Sequence, residues 1–429
     1  MKFINKIVTI CLFIIYITAV NYFTDIPLIS LFFSGILFVV AFIQNAKNIK
    51  GKWYISIYTL IVLMDLLLVV YNSKYRNLPF TGVDWGNFNY FAKSVLSKSN
   101  GSIFYIITNS IDLFTALVAM LYKFFGVNIG QVYFWILPCA QVLSNYIYKT
   151  IYKLTNSEKK AKIGAILILL YPVNFIFSIS VLREIPIQML VAISIYHLIV
   201  YLKDNTKQSL VKSILAIVFA CLMHSGMIGV LIVYIYILLQ KKLFGNIKVI
   251  NITVLLITSI IFFIICLTPV GNQITKKFDS VSSGEDLVNT MNTQNDFLEA
   301  NTQYIDDVPD SVGGIILTVP YRYIMFILSP FPWQVYSFGT VIALMADGVF
   351  RYIVVYLIFK SIGNYKKSKC NNPIYMILIL SIIITQLIFS FGTNNYGQAM
   401  RHRAKVLPLE IVMLVCYKKR VGDGIDEKD

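Results

Sequence analysis

Charge is scarce in this chain of 429 residues: Asp, Glu, Lys and Arg together make up 14% of it, and there are only three histidines. A soluble domain of this length carries about a quarter of its residues as charges, so a water-exposed globule is excluded. Cysteine is also sparse. Five of the six cysteines (Cys11, Cys139, Cys221, Cys266 and Cys416) fall in apolar runs, Cys370 falls in a lysine-rich loop, and no CxxC pair or His/Cys cluster occurs. That excludes a disulfide framework and a structural zinc site. Phosphate loops of the GxxxxGK[ST] and GxGxxG kinds are missing, which argues against nucleotide-driven chemistry, and Asp84 has no second acidic residue beside it to suggest a bound divalent metal. Neither a metal nor another cofactor is expected. No internal repeat and no low-complexity linker divides the chain, which reads as a single domain over residues 1–429.

What is abundant is apolar: 57% of residues are hydrophobic and the mean hydropathy is +0.71. A bilayer crossing takes about 20 such residues. Runs at 7–23, 28–45, 53–71, 131–149, 163–181, 185–202, 210–223, 226–240, 249–267, 340–360, 373–391 and 404–417 predict an all-α polytopic membrane protein of about twelve transmembrane helices. The first run lacks a small-residue cleavage site and counts as a span, not a leader. With both termini inside, 24 of the 37 lysines and arginines fall on the inner side and twelve on the outer, while Arg351 lies in a span. This two-to-one bias is the orientation the positive-inside rule favours. It also accounts for the net charge of +16 without nucleic acid, since the positive residues are scattered through short loops and form no stripe.

Two apolar runs, 103–122 and 314–328, are left out of the crossings. The first contains Asn109, Ser110 and Asp112, and counting it would put "KLTNSEKKAK" outside; the second ends in "SPFPWQ", a proline-rich interfacial turn. The outer face then carries two large segments with interfacial helices, 72–130 and 268–339. The second begins with a stretch of eight acidic residues from Asp279 to Asp310 that has few apolar anchors and is expected to be mobile.

The unusual ionisable residues converge on that outer face. Arg183 and Glu184, in "SISVLREIPIQ", sit at one hairpin tip, and His224, in "CLMHSGMIG", sits at another. Asp84 opens the first outer segment, and Arg401, His402 and Arg403, in "NNYGQAMRHRAKVLP", lie in the last outer loop, where basic clusters are disfavoured. Plainer roles exist for each: Arg183 paired with Glu184 or snorkelling to lipid phosphate, His224 as a helix-end residue, and Asp84 as a helix cap. His197, inside the sixth span toward the cytoplasm, is assigned to packing, and Arg351 and Asp347 are the ionisable residues counted within a span on its outer half or centre. Together, arginines that grip a pyrophosphate, a carboxylate that accepts a hydroxyl proton and a histidine that protonates a reacting oxygen describe glycosyl transfer from a lipid pyrophosphate.

The order of these motifs resembles the EpsG/Wzy-type polysaccharide polymerases of bacterial envelopes. The elements are "GVDWGNFNY" with Asp84 and Tyr90, an apolar interfacial helix, Ser180 shortly before Arg183 and Glu184, a short span ending in "HSG", and a closing "RHR" followed by proline. The resemblance covers roughly residues 80 to 410; where many members have Arg-Gln, this chain has Arg183-Glu184. It implies a GT-C-like fold in the bacterial cytoplasmic (inner) membrane and polymerisation of undecaprenyl-pyrophosphate-linked oligosaccharide repeats at the outer face. It makes Asp84 the candidate base and Arg183, His224, Arg401 and Arg403 candidate contacts to the pyrophosphate or reacting sugar; the full candidate set is Asp84 and His224 as catalytic and Arg183, Glu184, Arg322, Arg401, His402 and Arg403 as substrate-binding residues. Partners would be the lipid-linked oligosaccharide, the bilayer, and assembly proteins such as a flippase and a chain-length regulator. Three alternatives stay open. A GT-C transferase would add one sugar from a lipid-phosphate carrier. A flippase would show related halves. An O-acyltransferase would need a route for a cytoplasmic acyl donor.

Overall fold

In a computed structural model the described residues are 13–14, 16–18, 21, 25–48, 51–78, 84–244, 253, 257–258, 312–335, 338–368 and 373–416. The expected spans at 7–23 and 249–267 and the acidic stretch lie largely or wholly outside them. The described chain is helical and contains no strand, as an apolar chain that must satisfy its backbone internally requires. Among the described residues, six helices are long and apolar enough to cross a membrane, and up to eight crossings result if each of two bent helix pairs is one span. The chain is therefore a polytopic helical membrane protein. It divides into two compact units, Met1–Tyr152 with Ala161–Met227, and Lys153–Lys160 with Ile228–Asp429.

In the first unit, α1 (Leu28–Asn48) and α2 (Lys52–Tyr75) are full-length spans, as expected. The run at 103–122 does not form one helix. After α3 (Asp84–Lys98), it splits into α4 (Ile103–Asn109) and α5 (Leu113–Phe125), because Asp112 caps α5 by accepting from Thr115 N at 2.8 Å and so ends α4. Neither piece is long enough to cross alone. Helix α6 (Gly130–Thr155) is long but buries Gln131, Gln141, Ser144 and Asn145, and it qualifies as a span only with α5, from which it bends by 120°. Two of these positions bond across helices: Asn45 donates to the main-chain O of Gln141 at 2.6 Å and Ser144 donates to Ala165 O at 2.8 Å.

The span expected over 163–181 is broken. Helices α7 (Glu158–Leu170) and α8 (Pro172–Ser178) meet at 62°. Pro172 has no N–H for the preceding turn and pushes Tyr171 out of helical geometry (φ −60°, ψ 119°), so the helix must restart there. Asn174 bridges the break by donating to Ile168 O at 3.0 Å, while Asn72 donates to Ile179 O at 2.7 Å. Helices α9 (Glu184–Asp204) and α10 (Lys207–Met223) then pack along each other. Their seam is small and polar. Ser194 Oγ donates to Ser213 O at 2.8 Å and Ser213 Oγ donates to Ser194 O at 2.9 Å, a pairing that suits helices in lipid, where each such bond contributes about 0.6 kcal/mol.

The second unit contains α11 (Ile228–Phe244), α12 (Val312–Leu328), α13 (Phe338–Ala343), α14 (Val349–Ser368), α15 (Pro373–Phe391), α16 (Tyr396–Ala404) and α17 (Leu407–Cys416). A π-helical turn, Leu344–Gly348, joins α13 to α14. Helix α15 matches the expected span at 373–391 and packs against α11, α12, α16 and α17. The last expected span, 404–417, is represented by the ten residues of α17, about 15 Å of helix. Gly229 lets α11 close onto α15, since a Cβ there would lie 2.7 Å from Thr385 Cα.

Candidate functional site

The first unit gathers three of the sequence motifs around one guanidinium. Arg183 is the N-cap of α9, directly after the broken span, with a side chain 12% exposed. Its Nη1 bonds Asp112 Oδ2 and donates to Met223 O at 3.0 Å, and its guanidinium lies 5.9 Å from the Phe88 ring centroid on α3. The alternative pairing with Glu184 is not the ion pair found; Asp112 takes that place. Glu184 is the first residue of α9 and fully buried, where its charge opposes the positive end of the helix.

Asp84 begins α3, and its side chain lies outside the described residues. The helix it opens is nevertheless fixed: Phe88 stacks edge-on against Phe114 at 4.9 Å, and Tyr122 donates to Asn89 Oδ1 at 2.8 Å. His224 ends α10 in extended geometry, before a 3-10 turn at Ser225–Met227, at the hairpin tip where it was expected. Its Nδ1 accepts from Gly226 N at 3.3 Å, which puts the proton of the neutral ring on Nε2. Arg183 is joined to this turn through Met223, the residue before His224.

The remaining four expected residues, Arg322, Arg401, His402 and Arg403, belong to the second unit. Arg403 is fully buried; it donates to the carbonyls of Phe326 (2.9 Å), Ile327 (3.2 Å) and Ser329 (2.7 Å) and pairs with Asp347 at 2.6 Å. Arg351 bridges Asp347 (3.1 Å) and Glu410, and Glu410 also accepts from Gln386 at 2.8 Å. Two arginines and two carboxylates thus balance within the helices, and in this arrangement Arg403 ties the end of α12 to the π-helical turn. Arg322, 1% exposed, donates to Asn394 Oδ1 at 2.9 Å and caps the chain leaving α15. Arg401 and His402 are half-buried. His402 stacks on Phe389 at 4.6 Å, with Nδ1 3.0 Å from Thr393 Oγ1.

Sequence reasoning passed over Asp112, Asp65 and Glu410. Asp112 stood in view as a polar residue ahead of "LFTALV", the signature of a helix cap. Asp65 was visible as a lone acid within an expected span; it is 1% exposed and its Oδ1 lies 3.1 Å from Ser178 Oγ. The ionisable residues inside helices are therefore more numerous than Arg351 and Asp347. His197, assigned to packing, lies against the Tyr146 and Tyr196 rings at 5.9 and 5.0 Å. No three His, Cys, Asp or Glu side chains gather as metal ligands among the described residues.

Compared with protein-family models, with curated proteins and with solved structures, the chain matches none. The resemblance drawn from its motifs rests on those residues alone.

Proposed function

We propose that this protein polymerises oligosaccharide units carried on undecaprenyl pyrophosphate by glycosyl transfer, as the EpsG/Wzy-type polymerases do, on a GT-C-like scaffold in a bacterial cytoplasmic membrane. The observation that carries the reading is the meeting of the Asp84 helix, Arg183 and the His224 turn at one guanidinium, through Phe88, Asp112 and Met223 O. Twelve crossings and cytoplasmic termini belong to the same proposal, and they put this meeting point at the outer face.

In the reaction, a sugar hydroxyl of one repeat attacks the anomeric carbon of the next. The bond from that carbon to the pyrophosphate oxygen breaks, and its electron pair leaves with the pyrophosphate. Asp84 accepts the hydroxyl proton. Arg183 offsets the growing negative charge, because a guanidinium fork matches phosphate oxygens and is most effective where water is excluded. His224, neutral with its hydrogen on Nε2, offers a hydrogen bond to the departing oxygen. Within the second unit, Arg401 and His402 stay candidates for substrate binding, whereas the interior bonds of Arg403 and Arg322 favour a scaffold role for those two.

The test is the length distribution of surface polysaccharide in a deletion strain complemented with wild type, Asp84→Asn or Arg183→Ala, with membrane levels matched. Wild type is expected to restore long chains while both variants leave single repeats on the carrier. Unchanged lengths in both variants overturn the proposal. A product lengthened by one sugar selects a single-sugar transferase, and failure of single repeats to emerge selects a flippase.

A further inference from the structure

A second arginine stacks on the same helix, α3, as Arg183 does. Arg76 closes α2 in the left-handed region (φ 54°, ψ 30°), its N–H donating to Asn72 O at 3.0 Å. A side chain with a Cβ is rarely held there, and such strain persists where the surroundings enforce it. The anchor is Asn72 itself, whose side chain donates to Ile179 O at 2.7 Å and so ties this helix end to the segment leading into Arg183. The Arg76 guanidinium lies 4.7 Å from the Trp85 ring centroid, while Arg183 lies over Phe88. Positions 85 and 88 are neighbours on one face of α3, about 5 to 6 Å apart at Cβ. The helix that Asp84 opens therefore carries two guanidiniums on adjacent turns.

Asp112 pairs with Arg183, but no carboxylate pairs with Arg76 among the described residues, and the Nε of both arginines is buried without a hydrogen-bond partner. Arg76 is half-buried, with its guanidinium against the Trp85 ring. A guanidinium held in such surroundings calls for an anion. Two planar forks a helical turn apart suit an anion with two linked phosphates better than a single phosphate or a carboxylate.

We propose that Arg76 is the second arm of a diphosphate-binding site whose first arm is Arg183, the two being seated on the Trp85 and Phe88 face of α3, and that the site takes the diphosphate of a polyprenyl-linked sugar donor. The inference rests on the function proposed above and names the residue that distinguishes a diphosphate carrier from a monophosphate one.

The experiment is equilibrium binding to the full-length protein in phosphatidylcholine nanodiscs, without turnover. The probes are undecaprenyl diphosphate, undecaprenyl monophosphate, inorganic diphosphate and phosphatidylglycerol, tested on wild type, Arg76→Gln, Arg76→Lys and Arg183→Gln. Wild type is expected to prefer the diphosphate lipid, with inorganic diphosphate competing for the same site. Arg76→Gln should weaken the diphosphate lipid by about ten- to a hundredfold, the worth of one or two charge-assisted bonds, and the monophosphate by much less. Arg76→Lys keeps a charge over Trp85 without the fork; it should lose the diphosphate preference and carries the test if the Gln variant does not fold. Wild-type diphosphate affinity in both Arg76 variants, with weakened binding in Arg183→Gln, overturns the inference and leaves the proposed function standing. Equal wild-type affinity for undecaprenyl diphosphate and phosphatidylglycerol overturns both.

Discussion

Replacing Arg351 with methionine isolates the electrostatic core of the second unit. Arg351 is 1% exposed and Glu410 fully buried, and the cluster is neutral only because Arg351 and Arg403 face Asp347 and Glu410. Arg351→Met leaves two carboxylates against one guanidinium, with Glu410 retaining only the neutral amide of Gln386 among its hydrogen-bond donors described above. Breaking a buried pair from one side costs about 3 to 5 kcal/mol, because the remaining charge stays desolvated. Glu410→Met leaves Arg351 and Arg403 sharing the one carboxylate of Asp347 and should cost a similar amount. The double variant removes one charge of each sign, leaves Asp347 with Arg403, and fills the space with side chains of comparable length. Its loss should be no more than about 1 to 2 kcal/mol, giving a strongly favourable coupling in a double-mutant cycle. The assay is reversible unfolding of all four proteins in one bicelle composition. The reasoning fails if either single variant loses less than about 1 kcal/mol, as a solvent-screened pair would. It fails equally if the double variant loses the sum of the two.

Other outcomes follow from single contacts. Gly229→Ala forces a methyl group to 2.7 Å from Thr385 Cα, so α11 and α15 must separate; a loss of about 1 to 3 kcal/mol is expected by thermal melting, and an unchanged melting temperature refutes the tight crossing. Asp112→Asn keeps an N-cap oxygen for Thr115 but removes the charge opposite Arg183, whereas Asp112→Ala removes both. The alanine variant should therefore be less stable than the asparagine variant by about 1 kcal/mol, while both shorten the polysaccharide; equal stability in the two variants refutes the capping role. Ser213→Val deletes the Ser213 hydroxyl bond to Ser194 O, leaves the Ser194 bond to the main-chain O of residue 213, and crowds the α9 and α10 seam, so it should lower the melting temperature more than Ser102→Ala, a cap at an exposed helix end. A smaller loss in the seam variant counts against packing at that seam.

The boundaries of α1, α2, α9 and α15 were legible because each is a continuous apolar run whose ends carry charge or proline, and hydropathy alone sets such limits. The break at Tyr171 had its signal in Pro172, but an apolar run on both sides hid it, since periodicity is uninformative where every face is apolar. Asp112 illustrates the other limit. Its capping role is written locally, whereas its pairing with Arg183 joins residues 71 positions apart and has no local trace. The same holds for Arg351 with Glu410, separated by 59 positions. Arg76 escaped notice because its significance lies in stacking on Trp85 and in its backbone angle, neither of which a list of loop charges conveys.

The three-way engagement of Arg183 has a kinetic corollary. One guanidinium holds the start of α5 through Asp112, the end of α10 through Met223 O and the Phe88 face of α3. An anion that competes with Asp112 for those nitrogens must loosen the start of α5 while it tightens the contact with α3. Occupancy should then appear in amide hydrogen exchange as opposite changes in two nearby segments, faster over residues 112–116 and slower over 84–90. A ligand that merely adsorbed to the surface would slow both.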